Sequence, residues 1–306
     1  MSSKSPPQFP IYIPSKGRSE SRLTMKWFEK VGCPYNVVVE EEDHDDYVAS
    51  LDPDLARVII LDPKYQDEYD TCDPGSREAG KLVGAGAARN FAWEHSMSEG
   101  HDWHWVIDDN IRGFYRLNRN RKIPFRDAVV FRMMEDFVLR YTNVAMAGPN
   151  YYMFAPRKQK FPPFATNTRI YSCNLIRNDI PFRWRGRLNE DTILSLDILK
   201  GGWATIQFYT FLAKKMVTQV VKGGYTEQYL DEGTKAKTQI LVNAHPDVTE
   251  LVWKFSRWHH EVDYSQFQFT KLVKRDDLEI RPGNDSYGMR LRDYGKTRSE
   301  ADSAQS

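Results

Sequence analysis

Four places in this 306-residue chain gather residue types that do chemistry on charged ligands. The first is Trp105-Val-Ile-Asp108-Asp109-Asn110, an apolar run ending in adjacent carboxylates. Such a run buries the approach and delivers the acids at a sheet edge, where oxygen donors hold a divalent ion beside a diphosphate. The same residue types also favour plain turns and helix caps. The second is Gly84-Ala-Gly-Ala-Ala-Arg89-Asn90. It is no dinucleotide fingerprint, because it does not directly follow the first strand. Its small residues let a helix approach a strand or ligand closely, with Arg89 for a phosphate and Asn90 for a base or sugar. A tightly packed helix carrying an exposed arginine would read the same way. The third is Leu188-Asn-Glu190-Asp191, which places carboxylates at a helix start. They suit a general base on an acceptor hydroxyl, or simply the helix dipole. The fourth is Arg257-Trp-His259-His260, whose histidines would return to a metal or diphosphate, or lie partly buried on a helix.

The elements that must position these residues follow from hydrophobic pattern and turn signals. Strands are expected at 10–14, 36–39, 57–61 and 103–107, with helices at 22–31 (closed by Gly32) and 76–98. This alternation favours a mostly parallel sheet covered on both faces, with ligands at the carboxyl ends of its strands. Ser15-Lys-Gly-Arg18, Glu40 to Asp43, and Asp108 to Asn110 fall at three such ends. Further on, the pattern predicts a basic loop at 112–122, a helix at about 125–141, and an aromatic and basic loop at 148–168. A strand at 169–177 follows, then a helix from Glu190 capped by Asn189, and a strand at about 203–213. A polar stretch at 222–237 leads to a helix near 247–256. Residues 1–9 and 295–306 read as disordered, and 10–294 as one domain whose rhythm changes between its two halves, 10–110 and 111–294.

Composition narrows the class. Forty-three Lys and Arg against 42 Asp and Glu give a net charge of +1, so any nucleic acid must be met by a local basic patch. Candidates are Arg116, Arg119, Arg121 and Lys122, then Arg157 and Lys158, then Arg185, although a merely solvated face has the same composition. Tyr151, Tyr152, Phe154 and Trp184 lie among them and could stack on a base. Three scattered cysteines exclude a disulfide scaffold and favour a reducing cytoplasm. No apolar run approaches the roughly 18 residues of a membrane span, and residues 1–8 lack the apolar core of a secretory signal.

Together, Ile13-Pro-Ser-Lys-Gly-Arg18, Val39-Glu-Glu, Gly86-Ala-Ala-Arg-Asn90, Trp105-Val-Ile-Asp-Asp-Asn110, Asn189-Glu-Asp191 and Arg257-Trp-His-His-Glu-Val-Asp-Tyr264 resemble a GT-A glycosyltransferase. More specifically, over roughly residues 10–275 the chain resembles the phage TET-associated glycosyltransferases. The resemblance implies an α/β, Rossmann-like GT-A sheet and a UDP-sugar donor, UDP-glucose or a relative. It implies a Mn2+ or Mg2+ ion and, as acceptor, 5-hydroxymethylcytosine in DNA made by a TET-like dioxygenase. Carried onto this sequence, Pro14, Ser15, Arg18 and Glu40 would hold the nucleoside, and Arg89 and Asn90 the sugar-diphosphate. Asp108 and Asp109 would border the donor, while Asp108, Asn110 and His260 (or His259) would hold the metal. Asp191, beside Glu190, would be the base of an inverting enzyme. One departure is that Asn110 stands where the metal motif has its last Asp, which gives Asp109 a claim to that role.

Glycosyl transfer has an oxocarbenium-like transition state and a diphosphate leaving group, so the protein must neutralise developing charge and position one hydroxyl. A metal with Arg89, or lysines of the loop at 214–237, would serve the first need. Other readings are transfer to a glycan, lipid or protein, nucleotidyl transfer with similar metal chemistry, and a non-catalytic DNA-binding protein on a transferase fold.

Overall fold

The computed structural model describes residues 6–118, 120–155, 162–216, 233–278, 283–284 and 290–291. In chain order the elements are β1 (Ile11–Pro14), α1 (Leu23–Val31), β2 (Tyr35–Val39), α2 (His44–Ser50), β3 (Ala56–Ile60), α3 (Lys64–Asp67), α4 (Gly86–Ser98) and β4 (Trp103–Ile107). Then come β5 (Ile111–Asn118), β6 (Arg121–Pro124), α5 (Val129–Val138), β7 (Val144–Tyr151), β8 (Phe164–Thr166), β9 (Cys173–Arg177), α6 (Glu190–Lys200) and β10 (Ala204–Lys215). The last are α7 (Gly233–Ala244), β11 (Thr249–Lys254) and β12 (Arg257–Val262).

β1 to β10 form one mixed sheet in the order β3-β2-β1-β4-β9-β7-β10-β5-β6, with β8 also on β10. The first four strands are parallel, and β9 runs antiparallel between β4 and β7. The sheet is therefore continuous across residue 110. Its parallel part gathers the ends of β1, β2 and β4 on one edge, as the alternating pattern predicts.

The apolar runs explain the core. All five residues of β4 are buried, and Trp105 packs edge-on against Phe131 of α5. Phe28, Phe114 and Phe131 are each almost fully buried, and burial of such a side chain contributes about 1.5–3 kcal/mol. α1 turns Thr24, Met25, Trp27 and Phe28 to this core and ends where Gly32 takes φ +65°. Buried Glu135 accepts the backbone N–H groups of Gln8 and Phe9 and the Trp105 indole N–H. Residues 8 and 9 are thus pinned to the fold, although the sequence there reads as disordered.

Three expected elements differ. α4 starts at Gly86, not 76, because Gly84 has φ +96° and a Cβ there would lie 2.5 Å from the Arg187 carbonyl oxygen. The basic loop at 112–122 is the β5–β6 hairpin. The helix near 247–256 is instead the β11–β12 hairpin, with α7 before it. Arg119, Arg157, Lys158, most of the polar stretch at 222–237, and 295–306 lie outside the described residues. Among the described residues no helix is long and apolar enough to cross a membrane.

Candidate active site

The turn after β4 is fixed before any ligand arrives. Thr24 at the start of α1 donates its hydroxyl to the Asp108 carbonyl (2.6 Å), accepts the Ile111 N–H, and donates its own N–H to the Asp109 carbonyl. The Asp108 N–H donates to the Ser172 carbonyl just ahead of β9. On the other side, the Met216 N–H donates to the Asn110 carbonyl, which brings the end of β10 alongside.

Each aspartate then meets a cation. Asp109 accepts from Arg18 Nη1 (2.6 Å) on one oxygen and from Ser15 Oγ (2.7 Å) on the other. Asp108 accepts from Arg89 Nη2 (2.7 Å) and from Lys215 Nζ (2.7 Å), again one oxygen each. Burial opposes ionisation of Asp108, but Lys215 and Arg89 outweigh it and hold the carboxyl well below its usual range. For Asp109 burial wins over Arg18 and Ser15, and its pKa rises. Lys16 reaches Glu40 at 2.5 Å beyond β2.

These groups surround one cavity at the carboxyl edge. Pro14, Ser15, Arg18, Glu40, Arg89, Asp108, Asp109, Asn110 and Glu190 all line it, together with Lys16, Gln66 and Lys215. Arg89 Nη1 and Asn110 Oδ1 are buried there without a hydrogen-bond partner among the described residues. The Asn110 acceptor suits a sugar hydroxyl or a base N–H, and the Arg89 Nη1 donor, with Glu190 at 3.3 Å, suits a phosphate oxygen.

Glu190 and Asp191, adjacent at the start of α6, have different surroundings. Asp191 accepts from Arg169 Nη2 (2.7 Å) on one oxygen and from its neighbour Thr192 N–H (2.8 Å) on the other. Against the penalty of burial, Arg169 pulls its pKa down. Glu190 faces the cavity, 3.3 Å from Arg89 Nη1, and burial with nearby Asp191 raises its pKa despite Arg89. Of the two, Glu190 lines the cavity, with Arg89 as its ion-pair partner, while Asp191 has both oxygens hydrogen-bonded.

Other expected residues stand elsewhere. Asn90 does not line this cavity; its amide exchanges two 2.9 Å hydrogen bonds with the Trp184 backbone. Trp184 is buried beneath the Arg89 guanidinium rather than open to a base. Arg185 forms a bidentate pair with Asp197, which makes it a clamp on α6 instead of a surface cation. Asn189 takes a left-handed conformation and donates to the Lys237 carbonyl, so its side chain does not cap α6. His260 lies on β12 opposite Leu251. Burial first, then Arg169, lower its pKa to about 4, so it is neutral at pH 7.

The expected metal set was Asp108, Asn110 and His260. Only the Asn110 oxygen is open, both Asp108 oxygens are on cations, and His260 is not on the cavity. Among the described residues no group of three or more His, Cys, Asp or Glu side chains is arranged to hold a metal. A divalent ion about 4 Å from the Lys215 ammonium would meet repulsion on the order of 8 kcal/mol at an effective dielectric near 20. As arranged, these residues do not fit the ion.

In sequence Lys215 is one of the lysines of the loop at 214–237. The strand register slips between Ala213 and Lys215, and this bulge turns the side chain into the cleft. Its ammonium also donates to Ser172 Oγ (2.6 Å), which is paired with the Tyr151 hydroxyl (2.5 Å). Tyr151 stacks on Tyr171 with ring centroids 4.5 Å apart, and Arg169 lies over the Tyr171 ring. No motif announced Ser172, Tyr171 or Arg169.

The mixed α/β sheet thus carries buried cations and unpaired hydrogen-bonding groups at the tips of its parallel strands, where ligands bind in sheets of this kind. A family model for TET-associated glycosyltransferases matches residues 9–224, and the chain belongs to that family. It is a glycosyltransferase. A search of curated proteins gave no match. The β11–β12 hairpin lies beyond the matched segment.

Proposed function

We propose that this enzyme moves a hexose from a UDP-sugar, UDP-glucose or a relative, to the hydroxyl of 5-hydroxymethylcytosine in DNA, on a GT-A-type sheet. The observation that carries the reading is the cavity in which Arg18, Arg89, Lys215 and Glu190 converge on the turn after β4. The cations suit a diphosphate and the carboxylate suits an attacking hydroxyl. The acceptor oxygen bonds to the anomeric carbon, the bond to the diphosphate oxygen breaks, and Glu190 takes the hydroxyl proton. Arg89 stabilises charge on the departing diphosphate. Residues 10–110 provide most of the donor wall, and the segment from 111 to 294 adds Glu190, Lys215 and the acceptor side.

Two surfaces support a nucleic-acid acceptor. Arg116 and Arg121 are exposed on the β5–β6 hairpin, while Lys122 is held by the Tyr152 carbonyl and ring. The β11–β12 hairpin offers Trp253 (60% exposed) and Phe255 (87% exposed) among Lys254 and Arg257. Phe255 and Ser256 form its turn with φ of 51° and 58°. A bulky residue in that region costs roughly 1–3 kcal/mol, and such strain collects at functional sites. Exposed aromatics beside cations suit stacking on bases.

The test is a panel of nucleotide sugars incubated with hydroxymethylated DNA and read by nucleoside mass spectrometry. A hexosylated 5-hydroxymethylcytosine is the expected product. Sugar transfer only to glycan, lipid or protein acceptors, with no salt dependence, would replace the DNA reading while keeping the donor chemistry.

A further inference from the structure

We infer that Lys215, with Arg89, is the built-in counter-charge for the donor's diphosphate, so that the donor binds without a divalent ion. The inference rests on the donor half of the proposed function and is independent of the acceptor. Lys215 presses on the one carboxylate, Asp108, against which the motif would seat a metal, and Arg89 holds the other oxygen. The position is built, not incidental: a register slip in β10 aims the side chain, the Met216–Asn110 backbone bond fixes the strand end, and Ser172 holds the ammonium from the far side.

Two of the three ammonium N–H groups are engaged by Asp108 and Ser172, which among the described residues leaves the third for a ligand oxygen in the cavity that Lys215 lines. Arg89, which lines the same cavity, has an Nη1 that makes no hydrogen bond among the described residues and stands 3.3 Å from the Glu190 carboxylate. Asp108 and Asp109 are each satisfied by a protein cation, so they orient those cations instead of collecting a metal. Both cations would reach phosphate oxygens directly, and Lys and Arg are the usual phosphate partners. The chemistry expected of the metal, neutralising a leaving diphosphate, is then supplied by this chain's own side chains.

Titration calorimetry with UDP, in EDTA and again with Mn2+, tests this on the intact chain, with uridine as the phosphate-free probe. Wild type is expected to bind UDP in EDTA, with little gain from Mn2+. Lys215→Met should weaken UDP by about 10–100-fold, the scale of a charged hydrogen bond, and leave uridine almost unchanged. A purely structural lysine would lower both or neither. Should Lys215→Met misfold, the pair Asp108→Asn with Lys215→Met removes both charges and carries the same expectation. UDP binding that requires Mn2+ overturns the inference and leaves the donor reading standing. So does full UDP affinity in either variant. Absence of UDP binding in both buffers overturns the inference and the UDP-donor reading together.

Discussion

At the cleft after β4, Asp108 and Asp109 have both oxygens bonded, to Arg89 and Lys215 and to Arg18 and Ser15, and so has Asp191 behind Glu190, to Arg169 and Thr192. In the β11–β12 hairpin, Trp253 and Phe255 stand in solvent, the Arg257 side chain donates to His259, and Lys254 pairs across the strands with Glu261. The same residue types thus serve two ends. Buried ion pairs hold charge in place before the ligand arrives, so little reorganisation is needed at the moment of reaction. Exposed aromatics and cations gain their contacts only when a partner covers them.

The comparison is most severely tested at Glu190. Glu190→Gln should cut kcat by about 10²–10⁴-fold and leave donor affinity nearly unchanged in steady-state and binding assays. Because the Glu190 pKa is raised, the acid limb of the wild-type kcat profile should lie above the usual glutamate value of about 4.3 and vanish in the variant. An unchanged rate would remove Glu190 as the base.

Arg89→Met should leave two buried carboxylates, Asp108 and Glu190, without their shared partner, and cost about 3–5 kcal/mol in urea unfolding. The Asp108 contribution has a defined sign. Its folded pKa lies below its unfolded one, so its stabilisation is full above the unfolded value near 3.9 and is lost as pH falls toward the folded one. Acid unfolding should therefore weaken its pH dependence in Asp108→Asn.

The hairpin should behave oppositely. Phe255→Ala and Trp253→Ala should each weaken DNA binding by about 5–100-fold, the scale of one base–aromatic stack, in fluorescence anisotropy. UDP affinity should not move. Phe255→Gly sharpens the contrast: relief of the turn strain should raise stability by about 1–3 kcal/mol while DNA affinity falls. The smallest effect is expected at the β5–β6 hairpin, where Arg116→Glu with Arg121→Glu should flatten the salt dependence of DNA binding by about one logarithmic unit per lost contact. An unchanged slope would place the DNA surface elsewhere.

The parallel edge was legible because apolar runs end abruptly in polar clusters at Ser15, Glu40 and Asp108, a pattern that local chemistry produces. The β11–β12 hairpin was not. Its Phe-Ser turn carries none of the usual Gly, Asn or Asp signals, so residues near 247–256 read as a helix. Gly84 looked like part of a helix, because only the approach of Arg187, far along the chain, shows why the backbone turns there.

The sequence by itself determined which side chains stand at the strand tips, since burial of β1, β2 and β4 forces their polar successors to one edge. It put Asp191 forward as the base beside Glu190 but could not show their different surroundings, because successive helix residues point about 100° apart and only Arg169 and the cavity wall set them apart. Nor could it show Lys215 against Asp108. A strand bulge joins those two charges from 107 residues apart, and their pairing is a property of the assembled sheet alone.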